Sequence, residues 1–119
     1  MLGEIQDNPE VREISLAWNE LRACAVYEDV VREPLARTSR HWDGEIADAI
    51  RVAQALGEIA DTVDAEDAGI TATALTEGLS SRWLCGELST DKARDHLRKA
   101  LEALLPQPTQ AARRTAARG

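Results

Sequence analysis

Apolar positions recur at helical spacing along most of this chain. Val11, Ile14, Trp18, Leu21 and Ala25 follow at intervals of three and four, with Arg12, Glu13, Asn19, Glu20 and Arg22 off the stripe. Asn8-Pro9-Glu10 supplies the start: an N-cap, a proline at the first helical position, and an acid against the positive end of the dipole. The spacing predicts a first helix over 9–26. Beyond a break at Tyr27-Glu28-Asp29, Leu35, Trp42, Ile46, Ala49, Ala53 and Leu56 form a second stripe, extended by Val31 and Thr38. This helix should begin between Asp29 and Glu33, bend or loosen near Pro34, and end at Leu56, with Gly57 as a left-handed cap. Gly44 inside it costs about 1 kcal/mol relative to alanine, and close helix packing is the expected compensation.

Asp64 caps a third helix with Glu66 and Asp67 in its first turn, and Gly86 ends it at Cys85. This helix differs from the first two in having two apolar or small faces. Ala68, Ala72, Leu75 and Leu79 make one; Ile70, Ala74, Ser81 and Leu84 make the other. Gly69, Thr73, Thr76 and Ser80 lie between them, small enough for close approach, and no basic residue occurs before Arg82. A helix with so little solvated face is buried on both sides. Ser89 then caps a fourth helix carrying Ala93, Leu97, Ala100, Leu101 and Leu104, stopped by Pro106. The fold class is therefore all-α, an antiparallel array of four main helices whose last two form a hairpin. Residues 1–8, with Leu2 and Ile5, read as the last turn of a further helix, and 107–119 as a disordered or frayed basic tail.

Composition changes the picture in two ways. The 119 residues suffice for one domain with its own core, 1–106, yet aromatics are limited to Trp18, Tyr27, Trp42 and Trp83. The charge is −7, and all 21 acids precede the three tail arginines, Arg113, Arg114 and Arg118. A body so acidic is repelled by phosphate, so nucleic-acid binding by this stretch alone is not expected. Cys24 and Cys85 each sit in an apolar helical stretch and read as reduced core thiols, a bridge or reactive thiol being the alternative. With no secretory leader and no membrane-length apolar run, a cytoplasmic protein without membrane contact is expected.

Candidate chemistry is sparse. His41 and His96 have no close ligand partner in sequence, so they read as surface or interface residues and no metal is expected. Asp43, Glu45 and Asp48 lie on a polar helix side, Glu66 and Asp67 open a helix, and Ser80 and Ser81 lack a nucleophile context. There is no phosphate loop, and neither a cofactor nor an enzymatic activity is expected. The tryptophans allow two readings. They fill a core poor in large side chains, or Trp18, Trp42 and Tyr27 wall an apolar pocket between helices, with Leu75 behind.

The segment GLSSRWLCGELSTDKARDHLRKALEALLP, with Trp83, Leu84, Gly86, Leu88 and Ser89, resembles the end of the C-terminal domain of TetR-family bacterial transcriptional regulators. The shared pattern is a Gly-Leu-containing penultimate helix, a Gly-x-Leu-Ser turn and a final helix ending in Leu-Leu-Pro. The stretch VVREPLARTSRHWDGEIADAI, followed by ALGEI, is similar to the long helix that precedes them in that family. The resemblance implies that helices 64–85 and 89–105 pair with those of a second subunit as a four-helix bundle, giving a homodimer. Ile70, Thr73, Ala74, Glu77, Ser81, Leu97, Leu101 and Leu104 are the residues expected near the two-fold axis. It also implies a pocket for a small, mostly apolar effector, whose binding weakens operator binding. No basic helix-turn-helix segment precedes Asn8, so operator DNA is expected to be a partner of a full-length relative only. The rival reading is a stand-alone helical dimerisation protein without a small-molecule ligand.

Overall fold

Three of the four helices begin where a short polar side chain takes up their first free amides. The structure, a computed structural model, describes residues 2–111 and 114–115, and no strand occurs among them. Helix α1 spans Pro9–Tyr27, α2 Asp29–Ala55, α3 Ala65–Leu84 and α4 Thr90–Leu104. Asn8 accepts from the Glu10 amide at 2.9 Å, Asp64 from Asp67 at 3.1 Å and Ser89 from Lys92 at 3.2 Å. The ends of α2 and α3 are equally well defined. Gly57 and Gly86 have φ of 76° and 79°. Beyond them Glu58 N–H returns to Ala53 C=O and Glu87 N–H to Arg82 C=O, both at 2.9 Å, so each helix closes in a Schellman turn.

The break between α1 and α2 is one residue, Glu28, in extended conformation. No side chain caps the start of α2. Instead Arg32 reaches back, its Nε donating to Ala25 C=O at 2.7 Å and its Nη2 to Val26 C=O at 2.8 Å. A guanidinium there satisfies free carbonyls and opposes the negative end of the α1 dipole. Pro34 lies inside α2, one turn beyond the elbow.

The core consists of two apolar clusters. Ile5, Trp83, Ala93 and Leu97 form one, with Leu75, Leu79, Leu84, Leu88 and Leu101 packed around it. Ala47, Ile50, Ala65 and Ala68 form the other, with Ile46, Ile59, Val63, Leu104 and Leu105. Residues 2–7 are thus more than a fragmentary turn. After a 3-10 turn at Leu2–Glu4, Ile5 plugs the first cluster, and Arg94 Nη1 fixes its carbonyl at 2.8 Å. Trp83 Nε1 donates to Thr90 Oγ1 at 2.9 Å, and that hydroxyl donates to Asp7 Oδ1 at 2.6 Å. At the other end, Gln54 braces the loop before α3 by donating to the carbonyls of Ala60 and Val63.

Neither cluster contains a residue of α1. That departs from the expected stripe. Ser15 is the helix's buried residue, whereas Ile14 is 56% exposed and Trp18 and Leu21 are also largely open. The helix is turned so that Val11, Ser15, Asn19 and Arg22 face inward, and only one edge of the broad apolar stripe meets its neighbours. Val26, Tyr27 and Val30 are exposed around the elbow.

Two further expectations are corrected. Nothing lies within 4 Å of where a Cβ on Gly44 would stand, so close packing does not explain it. The tight crossing is at Gly69, where a Cβ would come within 2.8 Å of the Asp43 carbonyl and 3.3 Å of the Ala47 amide. Cys24 and Cys85 are free but exposed, Cys24 on an open side of α1 and Cys85 at the C-cap of α3. In the tail, Gln110, Ala111, Arg114 and Thr115 have helical geometry, and 112–113 and 116–119 lie outside the described residues.

Candidate functional site

A cavity of about 280 Å³ opens between α1, α2 and α3. From α1 come Ser15, Trp18, Asn19 and Arg22; from α2 Thr38, Ser39, His41 and Trp42; from α3 Thr76, Glu77 and Ser80, with Glu4 completing the lining. The helical period explains this grouping, since residues three and four apart share a face of their helix.

Arg22 ties the three helices together. Its Nη2 forms an ion pair with Glu77 Oε1 and also donates to Ser39 Oγ at 3.2 Å. Burial pushes the Glu77 carboxyl above the usual range; Arg22 pulls it back down, and the nearby charge of Asp43 pushes it further up. Asp43 itself accepts the Thr73 hydroxyl. At the rim, His41 Nε2 lies 3.1 Å from Glu45 Oε1 on the next turn, both well exposed. Among the described residues no group of His, Cys, Asp and Glu side chains is arranged to hold a metal ion.

The expected pocket residues divide evenly. Trp18 and Trp42 line the cavity, while Trp83 fills the core, so both readings of the tryptophans describe part of the molecule. Tyr27 is 88% exposed at the end of α1, and Leu75 packs against the Ile5–Trp83 cluster; neither lines the cavity. Ten of the twelve lining residues are polar, yet most of the surface they and the two indoles turn to the cavity is apolar. Arg22 and Ser39 escaped the sequence reading because they stand off the apolar stripes. Glu77 carried a signal: it is the one charged residue between Asp67 and Arg82, and a lone charge on an apolar helix requires a partner.

The residues expected near a two-fold axis also separate. Leu97 is fully buried and Thr73 nearly so, both inside the chain's own packing, so neither has surface to offer a second copy. Glu77 is turned to the cavity. Ile70 (55% exposed) and Ala74 are open, and Ser81, Leu101 and Leu104 are half-buried. No helix among the described residues is long and apolar enough to cross a membrane.

Residues 2–106 match the family described as BetI-type transcriptional repressor, C-terminal. The crystal structure of a protein described as a TetR-family transcriptional regulator, from Rhodococcus sp., aligns at 60% identity with a TM-score of 0.84. The alignment covers 87% of this chain and 55% of that one, so the present chain spans about half the length of that relative. No curated protein matches the sequence. The match over residues 2–106, with a solved TetR-family relative at 60% identity, establishes that the chain belongs to the TetR family of transcriptional regulators, of which it carries the BetI-type C-terminal domain.

Proposed function

We propose that this domain senses a small molecule in the cavity between α1, α2 and α3 and dimerises through α3 and α4, as the regulatory part of a TetR-type repressor. The observation that carries the ligand half is the cavity itself. Two indoles and a half-buried ion pair converge on about 280 Å³ of space between helices, where a packed core would otherwise be. The family is one of regulators rather than enzymes, and operator binding is proposed for the whole protein.

The dimer half rests on the outward face of α3. Ile70 and Ala74 are exposed there, and Ser81, Leu101 and Leu104 retain partial exposure. The proposed interface keeps these five and leaves out Leu97, Thr73 and Glu77. Small and apolar groups on a solvated helix face suit a self-complementary, two-fold contact.

A thermal-shift screen tests the sensing role. A ligand at about a hundred times its Kd should stabilise the fold by about 2.7 kcal/mol. If no compound in a panel of apolar and amphipathic molecules raises Tm, the reading as a dimerisation domain without a ligand is preferred.

A further inference from the structure

This inference rests on the cavity being a ligand site and concerns the class of molecule it takes. Arg22 uses one nitrogen, Nη2, for both Ser39 and Glu77, and Glu77 uses Oε1. The Nε and Nη1 donors of Arg22 and the Oε2 acceptor of Glu77 have no protein partner among the described residues. None of these atoms is sealed without a partner, so each reaches open space, and both residues line the cavity. Arg22 and Glu77 therefore bring free donors and a free acceptor to a cavity that Trp18 and Trp42 also line.

Charge decides what fits such an edge. A ligand cation on Glu77 meets the like charge of Arg22 beside it, and a ligand anion on Arg22 meets that of Glu77. Either therefore gains little net attraction from the pair while giving up its own hydration. A neutral ligand whose carbonyl accepts from Arg22 while its adjacent N–H donates to Glu77 keeps the ion pair intact. Most of the remaining polar groups on the lining, Ser15, Asn19, Thr38, Thr76 and Ser80, are uncharged, and His41 at the rim faces Glu45. Glu4 is the other carboxylate on the lining, and a cation held there is the rival outcome of the experiment.

We propose that the cavity recognises a neutral, planar heteroaromatic molecule bearing a cis-amide (lactam-type) edge, its ring against the indoles of Trp18 and Trp42 and its edge on the Arg22–Glu77 pair. A fused bicycle is of a size suited to the space.

Four bicyclic probes of similar footprint separate the possibilities by titration calorimetry of the full chain: 2-quinolone, naphthalene, N-methylquinolinium and 2-naphthoate. The expected result is 2-quinolone binding about tenfold or more tighter than each of the others. In Arg22→Met its advantage over naphthalene should fall below about threefold, since the carbonyl loses its donor. The wild-type ranking stands as a test even if that variant does not fold. Tightest binding by the quinolinium or the naphthoate overturns the inference and leaves the ligand-site reading standing. Equal binding of naphthalene and 2-quinolone also overturns it. Absence of binding by all four removes both the inference and the ligand-site reading of this cavity.

Discussion

Gly44 and Gly69 are the same residue in two helices with opposite roles. A methyl at Gly69 meets the Asp43 carbonyl at 2.8 Å, a backbone atom that cannot step aside. Gly69→Ala should therefore lose about 1–3 kcal/mol of stability in urea unfolding, the usual range for overpacking. A methyl at Gly44 meets nothing, so Gly44→Ala should gain about 0.5–1 kcal/mol from helix propensity. The sequence identifies both residues as helical but does not say which faces a neighbour, since that depends on how α3 crosses α2. Glu77 gives a pH prediction. Its carboxyl is raised by burial, so the folded state holds that proton more tightly than the unfolded chain. Its contribution is fully present below the unfolded value of about 4.3 and is lost as pH rises through the raised folded value. Unfolding of wild type and Glu77→Gln across pH should therefore show wild type losing ground to the variant on going from acid to neutral. A difference of the opposite slope would mean that Arg22 outweighs the desolvation.

Among the elements, the helix termini were the most legible part of the chain. Asn8, Asp64, Ser89, Gly57 and Gly86 act through their own backbone and short side chains, so neighbouring residues suffice to read them. Asn8→Ala should accordingly cost about 1 kcal/mol, read as a shift in the urea midpoint at constant m-value. The inward face of α1 was not legible. Its apolar stripe is real, but periodicity gives angular positions and not which edge of a wide stripe meets another helix. The two elements that settle it are α2, placed by the single-residue elbow at Glu28, and α3, reached only through tertiary contact. Ile5 was missed as a core residue for a related reason: two apolar residues at helical spacing suggest a turn but not what it packs on, and only Trp83 and Leu97 around Ile5 reveal its role.

For the whole molecule, the burial of Leu97 and the exposure of Ile70 turn one proposed interface into two distinct expectations. Ile70→Asp places a charge on an exposed face, so the fold should survive while sedimentation velocity shows monomer in place of dimer. Leu97→Asp buries the same charge in the chain's own core and should unfold it, seen as loss of helical circular dichroism. An unchanged dimer for Ile70→Asp would remove this face of α3 from the interface. The candidate site was half legible at this scale. The tryptophans marked the cavity by their size, while Arg22 and Ser39 gained their roles only when three helices came together.

The attachment of α1 has a consequence for how the molecule breathes. Its contacts inward are polar: Arg22 to Glu77 and Ser39, Arg12 to the Leu84 carbonyl and 5.1 Å from the Trp83 ring, and Ser15 to the Glu4 carbonyl. Its two ends are pinned, by Ile5 in the core before it and by Arg32 across the elbow after it. A segment so attached is expected to open locally between its fixed ends, without the rest of the fold coming apart. Native-state hydrogen exchange should find the central amides of α1 protected far less than those of α3, with the difference persisting in low denaturant as a separate sub-global unit.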